Sequence, residues 1–284
     1  MPTSDYQQRA QNTVSESKFS WRSILVHGPR KVTITLNRGV MHLGSQMLDF
    51  LAPPRCPITG ELVHTAGDLS GAGWAQLHFL SKPRCERCGR PFELAVDEGT
   101  ICGACIAAPP VFQRARAAVA YDDQSRRLII GFKHSDRTEH ALLFSRWLVR
   151  AGEEILQPGV ILVPVPLHWR RTFSRRYNQA ALLTRAISNL TGLAQETNLL
   201  RRHRATPPQA GLAAAARKRN VNGAFSVRDD ARARIENARI VLVDDVYTTG
   251  ATLSACARVL RKAGAKQVDA LTVARVVKQG GSAV

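Results

Sequence analysis

The stretch IVLVDDVYTTGATLSACARVL, residues Ile240 to Leu260, constrains the fold more than any other part of the chain. Ile240 to Val243 is aliphatic and uncharged, the pattern of a strand buried on both faces of a parallel sheet. Two carboxylates, Asp244 and Asp245, come where that strand should surface. Beyond them Leu253, Cys256, Val259, Leu260 and Ala263 recur at helical spacing. Arg258, Arg261 and Lys262 fall late in that helix, and Gly264 supplies a stop. The order is strand, polar loop, helix.

The same alternation runs through the C-terminal two thirds. AAVAY reads as a strand, RRLIIGFKH and HALLFSRWLVRAG as helices, VILVPVP as a buried strand and NQAALLTRAISNLTG as a helix; VDALTVARVV reads as a last strand. Strands separated by helices predict an α/β fold with a parallel sheet, and ligands beyond the carboxyl ends of its strands. Both VPVP and DDVYTTGAT fall at such ends.

The loop then has a chemical reading. Val246 to Thr252 leads into a helix N-terminus, where backbone N–H groups and the hydroxyls of Thr248, Thr249 and Thr252 can surround a phosphate monoester. Gly250 lets the backbone turn close to the anion. Asp244 and Asp245 stand one step earlier, where a sugar on that phosphate would present two hydroxyls. A phosphorylated ribose fits both halves. A Walker B strand would need a glycine loop with GK[ST], which the sequence lacks. A receiver domain carries its acid pair near the start of the domain. The plain alternative is acids and threonines that only cap a helix.

Upstream, PRCERCGRPFELAVDEGTICGACIAAPP holds Cys85, Cys88, Cys102 and Cys105 as two Cys-x-x-Cys pairs with 13 residues between them. That spacing suits paired knuckles giving four thiolates to one tetrahedral zinc. Gly89 and Gly103 fit the tight turns required, and four thiolates leave no open position for water, so the metal would be structural. Disulfides are the competing reading in an oxidising compartment. Cys56 stands alone in CPIT, and Cys256 falls on the apolar face of the last helix.

The formal charge of +18 and pI near 10.6 point to polyanions: nucleic acid, nucleotide or phosphorylated sugar. No apolar run approaches the ~20 residues of a membrane helix, and Met1 to Ser20 has no apolar signal core. A cytoplasmic protein is expected. The organisation expected is a mobile tail over 1–30, an N-terminal helix over 31–54, a zinc-knuckle domain over 55–112 and the α/β domain over 113–284.

VLVDDVYTTGAT resembles the phosphoribosyl pyrophosphate signature of type I phosphoribosyltransferases. The wider chain, roughly residues 50 to 277, resembles the ComF family, competence protein F-like members of that fold. The resemblance rests also on the four-cysteine knuckle, YDDQSRRLIIGFKH, VPVPLHWRRTFSRRYNQA and RRHRATPPQAGLAAAARKRNVNGAF. It implies that Asp244 and Asp245 bind the ribose hydroxyls and that Val246, Tyr247, Thr248, Thr249, Gly250, Ala251 and Thr252 hold the 5-phosphate. The turn at Pro164, with Arg170, Arg171 and Arg176, would face the pyrophosphate, while Arg175 and Lys133 would stabilise charge on it as it departs. Mg²⁺ would be held mostly by pyrophosphate, ribose hydroxyls and water. Many relatives carry an earlier knuckle set; here CPIT and LSGAGW occupy that region with Cys56 alone of the four thiols, so one zinc is expected rather than two. Where relatives read RGFNQ, this chain has Arg175, Arg176, Tyr177, Asn178 and Gln179. No segment identifies an acceptor.

A second hypothesis is a single-stranded DNA-binding module on the same fold, without catalysis. Between His168 and Arg219 there are 11 Lys or Arg against one acid, Glu196, and Trp169, Phe173 and Tyr177 recur every four residues. The same spacing would also mark one buried helix face. Arg201, Arg202, His203 and Arg204 before TPPQ, with Arg217 to Asn220, resemble a mobile basic flap. His134 and His140 carry a weaker acid–base reading.

Overall fold

The structure is a computed structural model that describes residues 53–65, 67–134, 139–167, 177–204 and 214–277. The chain divides into two units, Met1–Met47 and Leu48–Val284, and every described residue belongs to the second. The expected tail and the helix over 31–54 fall outside the described residues, apart from Pro53 and Pro54.

In chain order the elements are α1 (Gly71–Ala75), α2 (Gly103–Ala107), β1 (Ala115–Ala120), α3 (Asp123–His134), α4 (Glu139–Ala151), β2 (Val160–Pro164), α5 (Gln179–Thr191), β3 (Ala194–Gln195), β4 (Leu200–Arg202), α6 (Ala214–Val221), β5 (Phe225–Val227), α7 (Arg232–Ile235), β6 (Arg239–Tyr247), α8 (Ala251–Lys262) and β7 (Gln267–Arg275). Five strands form one parallel sheet in the order β1-β7-β6-β2-β3. The strands and helices expected from the alternating pattern all appear. The antiparallel pair β4-β5 was not expected.

Each face of the sheet has its own core, as the apolar run of β6 requires. Ile240 and Leu242 enter one cluster with Leu253, Cys256 and Leu260 of α8 and the four cysteines. Val241 and Val243 enter the other with Phe144 and Leu148 of α4 and Leu183 and Ile187 of α5. α5 begins at Asn178, whose side chain accepts from the Ala180 amide, and ends at Gly192 in the left-handed region.

The cysteine-rich segment is clipped to the edge of this sheet. Leu80 N–H donates to Ala118 O at 2.9 Å, and Ala120 N–H to His78 O at 2.8 Å, so residues 78–80 cover edge strand β1. Arg116 locks the junction from inside. Its guanidinium is 1% exposed and reaches Glu154 Oε1, Glu86 Oε2 at 3.3 Å and the carbonyls of Glu86 and Ala115 at 2.9 Å each. Removing a buried partner strands the remaining charges and carbonyls. Arg116→Ala should therefore destabilise the protein by about 3 kcal/mol in urea unfolding, with zinc content unchanged.

Candidate functional site

β2 leads outward to β3, whereas β6 leads the other way to β7. The crevice at the carboxyl ends of β2 and β6 is the topological switch point, where an open α/β sheet takes its ligand. Pro164 ends β2 opposite Val243, and β6 runs on past it. Strand pairing continues through Asp244 with Thr272, Val246 with Ala274 and Tyr247 with Arg275. The loop expected over Val246 to Thr252 is therefore shorter: Val246 and Tyr247 belong to the strand, Ala251 and Thr252 to the first turn of α8, and Thr248 to Gly250 alone connect them. The acid pair holds strand geometry because β7 supplies backbone partners alongside it.

The two carboxylates are not equivalent. Asp244 accepts the Asp245 amide at 2.9 Å. Burial foremost, and then the charge of Asp245, push its carboxyl up to about 7, against the pull of Lys133 and Arg202. Asp245 Oδ2 pairs with Lys133 Nζ at 2.7 Å, both side chains about four-fifths buried. The end of α3 is held in turn by α5: Gln179 Nε2 donates to Lys133 O at 3.3 Å and Tyr177 Oη to Phe132 O at 3.1 Å. Tyr177, one of the aromatic stripe, is thus bound to the protein body; Trp169 and Phe173 lie outside the described residues.

Gly250 is the N-cap of α8 at φ +74° and, as glycine, offers no side-chain cap of its own. A Cβ on Gly250 would lie 2.7 Å from Tyr247 Cε2. That ring is itself fixed. Phe112 meets it edge-on at 5.9 Å between centroids, and the Arg275 guanidinium covers it at 4.1 Å. Burial pushes the Tyr247 hydroxyl up to about 12, so it stays neutral. What remains is a compact turn of Thr248, Thr249 and Gly250, exposed at Thr249, that leads into the helix N-terminus.

Arg202 corrects the sequence reading. Read as part of a mobile flap, it lies in β4, is 8% exposed and packs over the Phe225 ring at 5.3 Å. Residues 205–213 of that flap lie outside the described residues, as do Arg170, Arg171, Arg175 and Arg176. His140 is buried with its ring against Phe144. Arg275 went unnoticed in sequence because it lies in an apolar strand with no motif around it.

Arg275 also reaches the second centre. Its Nη1 donates to Cys88 O at 2.6 Å and its Nη2 to Cys88 Sγ at 3.3 Å. The sulfurs of Cys85, Cys88, Cys102 and Cys105 all lie within 4.8 Å of one another, with Cys88 and Cys102 at 3.7 Å. Tetrahedral zinc with Zn–S bonds of about 2.3 Å sets its sulfurs about 3.8 Å apart, so these residues fit the metal. The Cys88 and Cys102 amides point at Cys85 Sγ, 3.5 and 3.3 Å away, as for a thiolate. Cys256 is buried as a small hydrophobe. Among the described residues no helix is long and apolar enough to cross a membrane.

Comparison with known proteins agrees with these two centres. The double zinc ribbon domain family matches residues 47–106. The phosphoribosyl transferase domain family matches residues 184–281. DNA utilization protein YhgH of Escherichia coli K12 is 34% identical over 202 residues, 69% of this chain and 86% of that protein. Competence protein F of Haemophilus influenzae is 30% identical over 223 residues, 75% of this chain and 96% of that protein. Among solved structures, the allosteric regulatory enzyme of purine biosynthesis aligns with 51% of this chain and 30% of its own at 19% identity, with a TM-score of 0.34, a distant partial likeness. With relatives so similar along most of their length, the chain belongs to the competence protein F and YhgH family of DNA utilization proteins and carries a phosphoribosyltransferase domain behind a zinc ribbon.

Proposed function

We propose that this chain binds phosphoribosyl pyrophosphate at the carboxyl ends of β2 and β6 and transfers its phosphoribosyl group to a nucleophile. The observation that carries the reading is an acid pair, Asp244 and Asp245, followed within three residues by the turn Thr248–Gly250 and the N-terminus of α8, whose N-cap is a glycine. In this reading the ribose hydroxyls donate to the two carboxylates, and the 5-phosphate accepts from the amides of the turn and the first turn of α8. Lys133, now paired with Asp245, would turn toward the pyrophosphate. Arg170, Arg171, Arg175 and Arg176 follow β2 in sequence and would supply further charge there.

The reaction breaks the C1–O bond to pyrophosphate, which departs with the electron pair as the nucleophile forms its bond to C1 and gives up a proton. Mg²⁺ on the pyrophosphate would neutralise the charge that builds there, with Asp244 and Asp245 acting on it through the ribose hydroxyls or water. The relatives' names tie the family to DNA utilization and competence, and the +18 charge of the chain favours a polyanionic partner. A DNA-linked role without catalysis is the second reading. It predicts DNA affinity that falls steeply with salt and no requirement for the acid pair.

Calorimetric titration with Mg²⁺ and phosphoribosyl pyrophosphate tests the first reading. Wild type should bind; the double variant Asp244→Asn, Asp245→Asn, folded and zinc-loaded, should give no heat. No binding by wild type would sink the reading. The pH dependence has a definite sign. Asp244 titrates near 7 in the folded protein and lower when unfolded, so its contribution to stability is present in acid and lost as pH rises through 7. Ligand hydroxyls require the ionised form, so affinity should rise between roughly pH 6 and pH 8, with proton release that scales with buffer ionisation heat.

A further inference from the structure

The family description that matches residues 47–106 is a double zinc ribbon, yet one cysteine quartet is present. The segment before it repeats the ribbon without its ligands. Cys56 N–H donates to Glu61 O at 2.7 Å, Gly60 N–H to Cys56 O at 2.8 Å and Val63 N–H to Pro54 O at 2.9 Å. Twenty-nine residues on, Cys85 donates to Arg90 at 2.7 Å, Gly89 to Cys85 at 2.9 Å and Phe92 to Pro83 at 3.0 Å. The bridges Arg55 to Leu62 and Arg84 to Pro91 keep the same offset, and Gly60 and Gly89 both turn at positive φ, +77° and +68°.

The second half corresponds as well. Ser70 caps the five-residue α1, and Cys102 precedes the five-residue α2 with nearly the same backbone angles. The correspondence puts Cys56, Thr59, Ser70 and Gly73 where the zinc ribbon has Cys85, Cys88, Cys102 and Cys105. This donor set does not fit zinc: one thiol, two neutral hydroxyls and no side chain at the fourth corner. Among the described residues, the later quartet is the one group of three or more His, Cys, Asp or Glu in ligand range.

We infer that residues 54–77 are a metal-free copy of the ribbon, in which the hydrogen-bonded pair Thr59 and Ser70, with Cys56 packed beside it, stands in for the metal. Thr59 Oγ1 and Ser70 Oγ are 2.9 Å apart. Ser70 Oγ also accepts the Gly73 amide at 3.1 Å. Cys56 Sγ has moved into the vacated corner: a Cβ on Gly73 would lie 2.7 Å from it. The lost metal energy is offset by docking. Cys56, Leu69 and Leu77 are buried in the core that holds α4, and Trp74 packs on Trp147 of α4 at 5.6 Å and stacks on Phe79 at 5.1 Å. The two copies belong to cores on opposite faces of the sheet, and the zinc copy alone lies with α8.

Metal analysis of the full chain after zinc reconstitution and desalting tests this independently of any ligand. Wild type should hold one zinc, Cys56→Ser should hold one, and Cys88→Ser should hold none. Cobalt titration of wild type should saturate its thiolate charge-transfer band at one equivalent. Thr59→Val should lower the melting temperature by about 2–4 °C, as loss of a hydrogen bond would, without touching zinc content. Two zincs in wild type, loss of zinc from Cys56→Ser, or retention by Cys88→Ser would each overturn the inference.

Discussion

Removing the zinc should loosen the turn at the proposed ligand site as well as the ribbon. Structural zinc in isolated ribbons is tied to some 10–16 kcal/mol of folding free energy. Here the ribbon also docks on the sheet, so about half that figure is a fair expectation, or a fall in melting temperature of roughly 10–20 °C. The knuckle sits hard against β1: Ala115 N–H donates to Arg87 O at 2.7 Å, and a Cβ on Gly89 would lie 2.5 Å from Ala115 O. Its second anchor is Arg275, bound to the carbonyl and sulfur of Cys88. A four-thiolate zinc centre carries two net negative charges, which this guanidinium partly balances while its other side covers Tyr247. Tyr247 is the last residue of β6 and the wall against which Gly250 turns.

Chelated protein, or Cys88→Ser, should therefore melt earlier and bind phosphoribosyl pyrophosphate more weakly, although no zinc ligand would touch that molecule. Arg275→Met separates the two effects. It should keep its zinc, by metal analysis, yet lose affinity by roughly tenfold, the equivalent of about 1.4 kcal/mol. Undiminished ligand affinity in zinc-free, folded protein would show that the two centres are independent.

The parts of this arrangement differ in how plainly the sequence shows them, for physical reasons. The core of β6, the helices α3, α4, α5 and α8, and the cysteine quartet announce themselves, since burial on both faces, helical period and metal spacing leave direct residue patterns. The extension of β6 through Asp244 to Tyr247 does not, because polar residues in a strand look like a loop until the partner, β7, is known. Arg116 and Arg275 carry no signal of their own, and Arg202 reads as part of a basic flap. A cation in a short or apolar strand reads as solvent-facing, yet each of these finds carboxylates, carbonyls or rings contributed by distant segments. The metal-free ribbon is legible in part: CPIT, with Cys56 alone, marks the missing ligands, but the preserved turn does not show. The hydrogen bonds that define that turn involve only backbone.

Gly250→Val should be the most damaging single change at the proposed ligand site. The native φ of +74° lies in the left-handed region, where a β-branched residue is strained by roughly 1–3 kcal/mol. Its Cβ would also meet Tyr247 at 2.7 Å, and that ring cannot retreat because Phe112 and Arg275 hold its edge and its face. The turn must move instead, taking with it the amides of Thr249, Gly250 and Ala251. Each hydrogen bond from such an amide to a phosphate is worth about 1.5–3 kcal/mol. Losing two of them would weaken phosphoribosyl pyrophosphate binding by at least about 100-fold. Stability should fall only by the strain itself, and zinc content should stay the same. Gly250→Ala should show the same pattern to a smaller degree, and Tyr247→Ala should partly rescue it by clearing the space the new Cβ needs. If Gly250→Val binds like wild type, the 5-phosphate is not held by this turn, and the acid pair serves some other ligand.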